Sequence, residues 1–180
     1  MRSGIVLKEM SSNGSSPISF AEYTVACLCG LLRMTFERKI TILGPGDNKR
    51  AALLACNIRD WTEGCLRHTE CTIRLLSEGF DIASAASDFF EAFCGIREQL
   101  AAQDFHPLCY GASRNVYPSG MSRDMAAGEK AYKMQIGKPV GLEDLVEIFE
   151  TGPDVEVSTV AAQKAFWHEW LRSNRKYPGQ

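Results

Sequence analysis

Between Gly44-Pro45-Gly46 and Glu78-Gly79 lie more than thirty residues without a strong breaker apart from Gly64. Leu54, Ile58, Trp61, Cys65, Thr69, Ile73 and Leu76 recur there at steps of three and four. That spacing predicts one continuous apolar stripe on a helix. Arg59, Glu63, Arg67, Glu70 and Arg74 fall opposite it, several at i,i+3 or i,i+4 spacing, where ion pairs support a helix. Asp47 or Asn48 would cap this helix and Glu78-Gly79 would end it, with Gly64 as a bend. Its length would be roughly 45 Å at 1.5 Å per residue.

A second helix is expected from about Ser84 to Ala102, burying Phe89, Phe93, Ile96 and Leu100 with Phe90 beside them. The link from Gly79 to Ala83 is short, and short links favour antiparallel neighbours. The predicted fold is therefore α+β: a long antiparallel helical hairpin, about 48–78 and 84–102, packed on a small β-sheet. The sheet would draw strands from 36–42, 108–110 and 130–136, where apolar and polar residues alternate with period two. Two further helices would follow. The first carries Leu142, Leu145, Val146 and Phe149 and stops at Gly152-Pro153. The second, capped by Ser158 or Thr159, carries Val160, Phe166, Trp167, Trp170 and Leu171. Val155 and Val157 suit an edge strand. Residues 18–33 suit a short helix capped by Ser19. The domain organisation is a Ser/Gly/Asn-rich disordered tail over 1–17, one domain over 18–173, and a frayed tail over 174–180.

A net charge of −2 over 180 residues lacks the strong basic balance of a general nucleic-acid binder. Val25 to Leu32 is apolar but too short to span a bilayer. No targeting signal is visible, so the expected compartment is the cytoplasm, with no membrane partner. The seven cysteines include no CxxC and no zinc spacing, and read as reduced core thiols.

Residues 109–137 look least like scaffold. Tyr117-Pro118-Ser119-Gly120 suits a type I turn, Ser122 could cap a short helical turn, and Gly128 could end it. The loop would present Arg114, Asn115, Tyr117, Ser119 and Arg123, with Lys130 at the start of the following strand; these six are the candidate ligand- or partner-binding residues. Arginine offers a planar fork to phosphate or carboxylate, yet no Walker loop or GxGxxG is present. Residues 109–138 carry a net charge of +3 and residues 141–157 a net charge of −6. These are two faces that attract each other or a patch for a partner.

Catalytic candidates are weak. His106 and Cys109 flank Pro107 without an oxyanion hole in sight. Asp60 with Glu63, and Asp88 with Glu91, read as solvated or ion-paired charges. His68 and His168 lack convergent donors, so no metal and no cofactor is expected.

The motif YPSGMSRDM followed by GEKAY resembles the core of a set of small bacterial proteins without an assigned activity, over about Pro107 to Leu171. The resemblance suggests immunity proteins of toxin systems and carries over no functional residue. The leading expectation is a non-enzymatic protein that docks another protein, a toxin or effector. The alternative is a small enzyme or ligand-binding domain that takes an anionic molecule in the 111–123 loop.

Overall fold

The computed structural model describes residues 24–28 and 31–175. It is mostly β. Five antiparallel strands run as a meander: β1 (Thr24–Leu28), β2 (Leu31–Gly44), β3 (Asn48–Glu63), β4 (Leu66–Ser77) and β5 (Phe80–Ala86). Helix α1 (Phe89–Ala101) follows, and β6 (His106–Pro107) returns to pair with β2. A second sheet joins β7 (Val116–Tyr117), β8 (Lys130–Lys133) and β9 (Leu145–Glu147). Helix α2 (Gly120–Met125) lies between β7 and β8, and helix α3 (Val160–Arg175) closes the described chain.

The expected helical hairpin over 48–78 and 84–102 is therefore corrected: its first arm is the β3–β4 hairpin and its second begins as β5. The middle stretches of β3 and β4 bury every second residue. Ala52, Leu54 and Cys56 face inward on β3, as do Cys71, Ile73 and Leu75 on β4. The apparent stripe mixed both faces. Leu54, Ile58 and Ile73 share the inner face, Trp61 and Leu76 have the opposite parity, and Cys65 sits in the turn. Gly64 is no helix bend. It holds φ +63° at the first central position of a two-residue loop between Glu63 and Leu66, as type II′ hairpin turns require. The charges pair across strands rather than along a helix: Arg59 meets its register partner Glu70 at 3.2 Å. At ~3.3 Å per residue, β3 spans about 50 Å.

Other expectations change too. The described part of 18–33 is strand. The 36–42 strand is present within the longer β2. Residues 110–112 form a 3-10 turn, so the 108–110 strand is replaced by β6. The 142–149 helix is one 3-10 turn followed by β9. Val157 makes one isolated bridge, to Ser113. The last helix is present as α3. The 1–17 tail and residues 176–180 lie outside the described residues. No described helix is long and apolar enough to cross a membrane.

Helix α1 begins at Phe89, later than the expected Ser84, because residues 84–86 pair as the end of β5. Asp88 caps it, accepting from Glu91 N at 2.8 Å. Phe89, Phe93, Ile96 and Leu100 are fully buried against the inner face of the large sheet. Phe89 meets Phe36 edge-on at 5.2 Å, and Phe93 meets Phe149 at 5.4 Å, joining the α1 layer to the segment after β9. Removing such a ring leaves a cavity that close packing cannot fill. Phe93→Ala should lower unfolding stability by about 3–5 kcal/mol, read from urea denaturation followed by tryptophan fluorescence.

Candidate interaction face on the C-terminal helix

The six sequence-predicted residues do not converge as one set: Tyr117 and Arg123 meet, the guanidinium 5.6 Å from the ring centre, and the other four stand apart from that pair. Arg114 is exposed and lays its guanidinium over the Phe166 ring at 5.3 Å. Its backbone N–H bonds Glu156 O, fixing the loop beneath it. Asn115 is structural: its side-chain oxygen accepts from Ser113 Oγ at 2.9 Å and its carbonyl accepts from Met134 N. Tyr117 stacks on Trp167 of α3 at 4.5 Å and 11°, with Phe90 edge-on at 5.1 Å. Burial pushes its hydroxyl pKa up. Ser119, rather than Ser122, caps α2 by accepting from Ser122 N. Ser122 is buried instead, its hydroxyl donating to Lys130 O.

Arg123 is already engaged. It meets Asp88 Oδ2 at 2.7 Å and Glu91 Oε2 at 3.5 Å, and lies over Phe90. Its partner Asp88 is 4% exposed and also caps α1, so this fork serves the scaffold. Gly128 sits against the same pair at φ +75°. A Cβ there would lie 2.8 Å from Asp88 Oδ1 and 3.1 Å from Phe90 N. Lys130 pairs with Glu147 across β8 and β9 at 3.5 Å. Lys133 meets Asp154 at 2.9 Å, and Tyr110 also donates to Asp154. The lysine beside it holds the Asp154 carboxyl below its ordinary pKa. The basic and acidic stretches thus face each other at these pairs, which are exposed and add little to stability.

Two residues that sequence reasoning passed over organise the region. Arg97 of α1 is 3% exposed and Gln163 of α3 is 1% exposed. Arg97 Nη1 donates to Gln163 Oε1 at 2.6 Å and to Gly111 O at 2.9 Å, and Nη2 donates to Ser158 O at 3.0 Å. Gln163 Nε2 is shared among Gly111 O, Ser113 O and Val116 O. The guanidinium needs the amide oxygen and the carbonyls need its nitrogen, so the amide orientation is fixed. The one signal in the sequence was a glutamine set inside the apolar stripe of α3.

The remaining face of α3 is only half covered. Phe166, Trp167, Trp170 and Leu171 are neither buried nor fully exposed. Trp170 Nε1 donates to Lys138 O at 2.8 Å, and Ser173 Oγ accepts from Gly137 N at 2.9 Å, pinning the turn after β8. The result is a rigid aromatic surface with Arg114 on Phe166.

Nucleophilic chemistry gains no support at Cys109. It is fully buried, and burial pushes its thiol pKa up to about 12, disfavouring the thiolate. Burial likewise raises Cys71 to about 12 and Cys94 to about 11. Among the described residues no three His, Cys, Asp or Glu side chains converge as a metal site.

No family model matches the chain, and no curated protein matches it.

Gln163→Leu would remove one acceptor from Arg97 and a side-chain donor from the carbonyls of Gly111, Ser113 and Val116, costing about 1–3 kcal/mol by urea denaturation. Arg114→Ala should stay within about 0.5 kcal/mol of wild type in the same assay. At pH 8, iodoacetamide should modify Cys65 in the native protein. Cys56, Cys71, Cys94 and Cys109 should react only in denaturant, as peptide mass mapping would read.

Proposed function

We propose that this chain is a non-enzymatic binding protein that docks another protein through the half-covered aromatic side of α3 and the Arg114 loop. The observation that carries this reading is the half-covered aromatic row Phe166, Trp167 and Trp170, with the Arg114 guanidinium lying on Phe166. Tryptophan, tyrosine and arginine dominate binding energy at protein interfaces, because they offer large rigid contact area at small entropic cost. Here the rings are held before any partner arrives: Trp167 by Tyr117, and Trp170 by its bond to Lys138 O. Preorganisation of this kind lowers the cost of docking.

A toxin or effector is the partner class in the specific form of this proposal, with both proteins in the bacterial cytoplasm. That form draws its support from the resemblance of the 107–171 core to small immunity-type proteins. Recognition of an anionic small molecule by the 111–123 loop is less favoured, because Asp88 and Glu91 already occupy Arg123.

A photoreactive amino acid placed at position 114 should crosslink to one partner in the source cell. Arg114→Glu should keep the wild-type melting profile and reduce recovery of that partner at least about tenfold, the scale of an interface arginine worth 1–2 kcal/mol. Equal recovery by wild type and variant would remove α3 as the docking face.

A further inference from the structure

Away from the aromatic row, the first turn of α3 borders a cavity of about 210 Å³. Arg97, Glu98, Ala101, His106, Pro107 and the Ser158–Ala161 segment line it. The space equals roughly seven water molecules at their liquid volume.

We propose that this cavity is a binding site for a small carboxylate. Arg97 is the reason. Its side chain is almost wholly withdrawn from solvent, yet no carboxylate lies within 4 Å of it among the described residues. Burial of a cation without a counter-ion is costly, and the desolvated guanidinium is pushed toward losing its proton. Carbonyl oxygens of Gly111 and Ser158 and the Gln163 amide hold its plane. Those bonds use three of its five N–H donors. The Nε–H and the second Nη2 proton have no acceptor among the described residues, and the side chain lines the cavity.

The helix end supplies an independent set of donors at the same place. Thr159 caps α3, its hydroxyl accepting from Ala162 N and its carbonyl from Gln163 N. The N–H groups of Val160 and Ala161 remain without acceptors among the described residues, at the positive end of a 16-residue helix. An oxyanion in the cavity would meet a planar cationic fork and backbone N–H donors together. His106, half-buried on the wall, adds a ring nitrogen. Glu98 sets the charge: its carboxylate on the same lining repels any anion, and a dianion about twice as strongly as a monoanion. A monoanionic carboxylate on a few carbons fits the volume and the charge better than phosphate does.

The test is a titration of the uniformly ¹⁵N-labelled full chain with sodium acetate, in parallel with inorganic phosphate and with sodium chloride at matched ionic strength. Acetate should shift the Val160, Ala161 and Gly111 amide resonances saturably in the millimolar range, and chloride should not. Ala161→Glu places a carboxylate on an exposed first-turn position, where acidic residues favour the helix, so it should fold and abolish saturation. Arg97→Lys, which keeps the charge but loses the fork, should weaken binding at least about tenfold. Acetate shifts that never saturate, that match chloride, or that persist in Ala161→Glu would overturn the site. Tighter binding of phosphate than of acetate at the same amides would overturn the carboxylate assignment.

Discussion

A guanidinium and an amide, both almost wholly buried, hold the second half of this protein to the first. Arg97 projects from α1 and Gln163 from α3, and they meet among carbonyls of the 111–116 segment and Ser158. Neither residue gains from burial by itself; each loses hydration that only a satisfied network replaces. The bonds of the network polarise and support one another. The network also decides where everything downstream sits, because the carbonyls it binds belong to the loop that carries Arg114 and leads into β7. Helix α3 half-covers Phe166, Trp167, Trp170 and Leu171, and Gln163 is its one fully buried side chain among the described residues. The Arg97–Gln163 bonds and the stack of Trp167 on Tyr117 fix its position together.

That polar joint works only because α1 is immobile. Its rigidity comes from the large sheet, whose inner face presents Phe36, Leu54, Ile73 and Leu75 to the α1 phenylalanines. Asp88 extends the same support to α2. One carboxylate caps α1, receives Arg123 and packs against the glycine at 128. Side chains that looked like a reaching loop are thus committed inward. The outward face of α3 carries Ala161, Lys164, Ala165, His168 and Glu169, with the aromatic row half-covered beside it, and Arg97 lines the cavity beside the first turn.

Some of this was written in local sequence. The apolar stripe of α1, the strand over 36–42, the strand opening at Lys130 and the terminal helix are each set by short-range periodicity or capping. Residues 54–76 were not legible in that way. Both faces of β3 and β4 carry apolar residues, with Trp61 and Leu76 on the outer side. A period of two with both phases partly apolar, reset by a turn, imitates steps of three and four. Propensity could not resolve it, since strand identity depends on partners many residues away.

The sequence alone determined the local grammar: the phenylalanine face of α1, the breaks at residues 44–46 and at Gly79, and the aromatic row on α3. Tertiary structure decided what those pieces mean. Strand pairing turned one supposed rod into a hairpin, because hydrogen-bonding partners come from elsewhere in the chain. Desolvation selected Arg97 and Gln163 over the exposed arginines as the organising residues, because the worth of a polar group depends on whether water can still reach it.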